Sequence, residues 1–217
     1  MLSIEDLLAL PEYVKGIIEP CFIPMPPGGG GGNPPPMPAP VNTMVIVDDD
    51  ALAFFVIYGP TLGGGSGNAF EWAINILEAG DDPFWSSFNI DFVASDIRYW
   101  ESPNTTPVDI YSLMAWVMTT FPTPSGIDVR YVLTGQNTWP FGGLCYDDTF
   151  IISAWAAILN FQPLQNLWQH EASHLYHVGD HAITDFTPCV MNYWYPFLAF
   201  WCSGCSSTIY ANRFHLD

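Results

Sequence analysis

His170-Glu171-Ala172-Ser173-His174-Leu175-Tyr176-His177-Val178-Gly179-Asp180-His181 holds four of the chain's five histidines. Residues four apart on a helix lie one turn above each other, so His170 and His174 can offer their imidazoles to one ion. Zinc takes neutral imidazole nitrogens at about 2.0–2.1 Å and, in catalytic sites, leaves one position for water. Glu171 stands beside that position, where it can take the water's proton and later give it to a leaving amine. This is the H-E-x-x-H arrangement of a zinc hydrolase. The plain alternative is a helix whose histidines and glutamate are solvated or satisfied by neighbours.

His177 lies about 10 Å along a helix axis from His170, too far to share the ion. Gly179 favours a left-handed cap, which predicts that the helix stops there. Asp180 and His181 then return on a turn, and either can supply the third ligand.

Upstream, the helix is expected to begin near Pro163, a residue suited to a first turn. Branched and aromatic runs predict strands over residues 43–47, 53–58, 89–99, 127–133 and 149–155, with a short edge strand over 142–146. Asp48-Asp49-Asp50 reads as an acidic turn between the first two. Helical patterns cover residues 68–78 and 109–121, and a closing helix is expected over 206–214. This mixture points to an α+β domain. The Gly63–Gly67 stretch lacks the Lys-Ser/Thr of a phosphate-binding loop.

Residues 23–40 are Pro/Gly-rich and read as a linker, which puts the start of the folded domain at Val41 and its end at Asp217. Residues 1–22 form an N-terminal segment, with a short helix over 3–19 broken by Pro11; a pro-segment is one reading of it. In that case Cys21 could block a catalytic metal by occupying its water position, but no flanking pattern supports this and an ordinary surface cysteine is the preferred reading. Hydrophobic residues make up 49% of the 217, enough for one sizeable core and too many for a disordered chain.

Only Lys15, Arg98, Arg130 and Arg213 are basic against 22 acids, a net charge of −18. Such a chain cannot neutralise a run of phosphates, which excludes nucleic acid and anionic membranes as partners. No apolar run is long enough for a membrane span. The N-terminus has no basic leader before an apolar core.

The histidine stretch resembles the pattern of the metzincin peptidases, H-E-x-x-H-x-x-G-x-x-H or D followed by a Met-containing turn. Asp180 looks like the aspartate variant of snapalysin-type members. In Cys189-Val190-Met191-Asn192-Tyr193, Met191 matches the Met-turn methionine. Tyr193 is similar to the tyrosine that astacin- and serralysin-like members place near the zinc. The chain departs from the family at His177, which occupies the glycine slot two residues before Gly179. The pattern's last ligand slot falls on Asp180, which is the preferred third ligand, with His181 its alternative.

The resemblance implies a metzincin-like catalytic domain: a twisted, mostly parallel sheet with an antiparallel edge strand packed on helices, a zinc-binding helix, a Met-turn and a short C-terminal subdomain. It implies a monomeric zinc endopeptidase acting on peptides or proteins, with Glu171 moving protons and Tyr193 stabilising the oxyanion. Extended substrate would add a strand along Gly143, Leu144 and Cys145.

Five cysteines is an odd number, so at least one is free or metal-bound. Archaemetzincins carry a similar cysteine set that holds a second, structural zinc. By that resemblance His181, Cys189, Cys202 and Cys205 make a Cys3His site. A disulfide from Cys189 to Cys202 or Cys205 competes with it, and reduced bystanders are a third reading. If His181 serves the second zinc, Asp180 must serve the first.

Two further functions stay open. One is a non-catalytic, zinc-stabilised binding module, against which Glu171 argues because a structural site needs no general base. The other is a zinc hydrolase of non-peptide amide bonds. Strong acidity and an unrestrained peptidase both suit an extracellular or secreted protein, with an intracellular, archaemetzincin-like role as the alternative.

Overall fold

The first strand, β1 (Val41–Asp48), is buried almost throughout because both faces of its sheet are covered. The computed structural model describes residues 37–58, 68–103, 108–139, 142–147, 149–154, 163–182, 184–195 and 198–217. The expected 3–19 helix, Cys21, the linker up to residue 36, the 63–67 loop and Trp155 lie outside them.

In chain order the elements are β1, α1 (Asp49–Tyr58), α2 (Ala69–Phe88), β2 (Phe92–Trp100), β3 (Val108–Asp109), α3 (Ile110–Thr120), β4 (Val129–Thr134), β5 (Thr138–Trp139), β6 (Gly143–Tyr146), β7 (Phe150–Ala154), α4 (Leu164–His174) and α5 (Ser203–Asn212). The main sheet has the order β2-β1-β4-β7-β6, and β3 pairs with β5 separately. The pairs β1–β2, β1–β4 and β4–β7 are parallel, and edge strand β6 runs antiparallel to β7. The α+β class and the mostly parallel sheet with an antiparallel edge are as the sequence led us to expect.

Alternate residues of β1 serve two cores. Val45 and Val47 join α2, α4 and the C-terminal residues on one face. Met44 and Ile46 pack with Ile110, Leu113 and Val117 of α3 on the other. Parallel strands covered on both sides read as near-continuous apolar runs.

Two expectations need correction. Residues 53–58 are the end of helix α1, not a strand. The acidic triplet is a helix start rather than a turn between strands: Asp48 Oδ1 accepts from Ala51 N at 2.7 Å, and Asp49 and Asp50 occupy the first turn. Parallel pairing of β1 with β2 requires a crossover, and α1 and α2 lie within it. Helix α2, secondly, runs ten residues past Glu78, through Gly80 and Pro83 to a left-handed cap at Asn89. A Cβ at Gly80 would come within 2.5 Å of Trp168 Cε3, so glycine there lets α4 pack against α2.

Candidate metal centres

The side chains at the heart of the site stand on α4, whose first residues are fixed by packing. Trp168 is fully buried and meets Phe84, Phe92 and Tyr131 edge to face. This anchorage sets the rotation of the helix and turns His170, Glu171 and His174 towards β6 and the C-terminal turns.

The helix does not run on to Gly179. It stops at His174, and residues 175–177 form a tightened turn. His177 N donates to His174 O at 2.9 Å and Val178 N to Ser173 O at 3.4 Å, the paired bonds of a Schellman motif. The left-handed residue is His177, at φ 63°, and Gly179 is not left-handed. The sequence expectation placed the cap two residues too late. His177 thus adopts the conformation for which glycine is usual.

This turn brings Val178 O back to His174 Nδ1 at 2.6 Å. Val190 O meets His170 Nδ1 at 2.9 Å. With Nδ1–H donating to a carbonyl, each Nε2 is left as the lone-pair nitrogen. Both Nε2 atoms face Asp180 Oδ1, at 3.1 Å from His170 and 3.5 Å from His174. Three ligands in a tetrahedron at about 2.0–2.1 Å from a metal lie roughly 3.3 Å apart, so the group fits an ion. Tyr193 O–H donates to Asp180 Oδ2 at 3.0 Å, and its ring lies 5.6 Å from that of His170.

Glu171 is buried against edge strand β6. Its carboxylate accepts from the Cys145 N–H, and burial, outweighing the pull of His170, pushes its carboxyl up to about 7. A Cβ at Gly143 would come within 2.5 Å of Glu171 Oε1 and 2.7 Å of Leu167 Cδ1, so this strand position admits no side chain without displacing the acid. At Asp180 burial opposes ionisation, yet without a metal His170 is protonated, and its Nε2–H bond and charge hold the carboxyl below the ordinary value; a metal ion would take the place of that proton.

His181 does not join this group. It lies with Cys189, Cys202 and Cys205, and the candidate ligand atoms of all four are within 4.8 Å of one another. His181 Nε2 is 3.5 Å from both Cys202 Sγ and Cys205 Sγ, and those two sulfurs are 3.5 Å apart. Tetrahedral zinc with Zn–S of about 2.3 Å sets N···S at roughly 3.5 Å and S···S at roughly 3.8 Å, so this donor set also fits. The described cysteines, Cys145 included, are outside disulfides. Cys202 is the N-cap of α5 and Cys205 sits in its first turn, so one short stretch of backbone sets both sulfurs. The Cys189 thiol is pulled down, chiefly by its hydrogen bond with Cys205.

Met191 is fully buried in a turn closed by Asn192 N donating to Cys189 O at 3.1 Å. Sequence reading missed the supports: the Val178 and Val190 carbonyls, and Asp185, whose Oδ2 meets His181 Nδ1 at 2.6 Å. Asp185 had one legible signal, a carboxylate four residues after a histidine. The carbonyls had none, since any residue type supplies one.

No protein-family model matches the chain, and no curated protein is significantly similar to it. Among the described residues no helix is long and apolar enough to cross a membrane.

Proposed function

We propose that this chain is a zinc-dependent endopeptidase of metzincin type. The observation that carries the reading is the convergence of His170 Nε2 and His174 Nε2 on Asp180 Oδ1, with the Glu171 carboxylate one residue along the same helix. Zinc held there would supply a Lewis acid and lower the pKa of water. Glu171, buried beside that position, is placed to take the water's proton and return it to the leaving amine. Tyr193 O–H, beside Asp180, is the proposed donor to the substrate's developing oxyanion.

Strand β6 pairs with β7 on one side and is the last strand of the sheet. An extended peptide adding to it would pass Gly143, Leu144 and Cys145 alongside Glu171. That favours peptide bonds over other amides. The cysteine-histidine group is read as a second, structural zinc site, since four ligands leave no position for substrate.

The test is hydrolysis of a denatured protein and of a panel of peptides, with and without a chelator. Glu171→Gln should keep its metal and lower kcat/KM by about 10²–10⁴-fold. A metal-loaded protein that cleaves no peptide would instead be a zinc-stabilised binding module. Turnover indifferent to Glu171→Gln would remove the acid from the mechanism.

A further inference from the structure

The two metal-ligand groups are made from the same two pieces of backbone. Asp180 belongs to the three-ligand group and its neighbour His181 to the four-ligand group. Cys189 belongs to the four-ligand group, and the carbonyl of its neighbour Val190 holds the His170 ring at 2.9 Å. One backbone hydrogen bond, His181 N to Met191 O at 2.9 Å, ties the two pieces to each other. Neither piece lies in a helix or strand. Cys202 N donates to Cys189 Sγ at 3.3 Å, and Val190 N donates to Phe200 O at 2.8 Å, fastening the second piece to the approach of α5.

From this arrangement we infer that the four-ligand group is a positioning element for the three-ligand site, so that metal in either raises the affinity of the other. The inference rests on the metal-dependent reading of the three-ligand site. Metal drawn to His181 and Cys189 fixes both pieces at once. Asp180 and the Val190 carbonyl are then already in place when the second ion arrives, and less ordering opposes its binding. A carbonyl that orients a ligating histidine is typically worth 10–100-fold in metal affinity. Coupling between binding sites is reciprocal, so the factor must be the same in both directions.

Cobalt(II) distinguishes the two groups, because only the thiolate group gives sulfur-to-metal charge-transfer absorption. The full chain is first given one equivalent of zinc, which the thiolates retain, and is then titrated with cobalt(II). The expected result is binding at the three-ligand site without charge transfer, weakened about 10–100-fold in Cys202→Ser. The reverse measurement uses His174→Ala and follows cobalt(II) at the thiolates, which should weaken by the same factor; it stands alone if Cys202→Ser does not fold. Unchanged affinity in both variants, or a loss in one direction only, overturns the coupling and leaves the hydrolase reading intact. A native protein that binds cobalt(II) at the thiolates alone sinks the hydrolase reading and the coupling with it.

Discussion

The group of His170, His174 and Asp180 and the group of His181, Cys189, Cys202 and Cys205 share backbone, but differ in closure, softness and company. The first has three hard or borderline candidate ligands, one of them a carboxylate whose side chain is 38% exposed. It has a buried acid beside it and a strand edge in front. The second has four candidate ligands, three of them sulfur, and the carboxylate beside it, Asp185, is engaged with His181 Nδ1. Openness plus a proton carrier suits turnover; closure plus soft ligands suits holding the chain together.

The largest expected effects follow from that division. Cys189→Ser should lower the melting temperature by about 10 °C or more, since structural zinc sites contribute much of the folding energy where they occur. His174→Ala should abolish hydrolysis while moving the melting temperature far less. Thermal melts beside activity assays check both. Equal destabilisation by the two substitutions would erase the distinction between the groups.

A smaller effect is expected from Gly143→Ala. The new methyl would lie 2.5 Å from Glu171 Oε1, and the acid is the movable partner. Its hydrogen bond from the Cys145 N–H would lengthen. We expect kcat to fall about 10-fold or more, with metal content unchanged, because sub-ångström placement of a catalytic group is what such a contact controls. Unaltered kcat would mean that Glu171 adjusts freely and that β6 does not position it.

How much of this was legible in the sequence differs between the same two regions. The H-E-x-x-H spacing fixes three residues on one helical face whatever surrounds them, so that part could be read directly. The choice between Asp180 and His181 could not, because it depends on where the chain turns, and sequence put the turn at Gly179. The strand expected over 53–58 failed for a related reason. A short apolar run has no period to distinguish strand from helix, and Asp48 decided the matter by capping Ala51 N. Sheet order was not legible, since pairing is set by contacts remote in sequence; only a mostly parallel sheet with an antiparallel edge was expected.

A buried acid outside both groups provides a control for the acids within them. Burial pushes the carboxyl of Asp81 from 3.8 up to about 8, although Oδ1 accepts from Phe92 N at 3.2 Å. Because the folded value lies above the unfolded one, the folded chain holds this proton more tightly. The resulting stability is fully present below pH 3.8 and is lost as pH rises through about 8. Asp81→Asn keeps an acceptor for Phe92 N, and should flatten that decline and raise the melting temperature at pH 8 without altering hydrolysis. A melting profile against pH that matches the native chain would place the sensitivity elsewhere, the metal ligands being the next candidates.

The smallest effect tests the turn that separates the groups. His177 sits at φ 63°, a conformation that costs an ordinary L-residue about 1–2 kcal/mol. Its ring packs on His215 at 4.3 Å between centroids, which offsets part of that cost. His177→Gly removes the strain and the ring contact together, while glycine adds freedom to the unfolded chain. A net gain of about 0.5 kcal/mol is expected, a rise of roughly 1–2 °C. Gly179→Ala is its counterpart. No atom lies within 4 Å of an added Cβ there and the backbone is not left-handed, so alanine should stabilise by about 0.4–1 kcal/mol through the unfolded state. A left-handed Gly179, as the sequence suggested, would make that substitution destabilising instead. The sign of the Gly179→Ala change therefore decides which residue turns the chain, and with it why Asp180 rather than His181 faces His170 and His174.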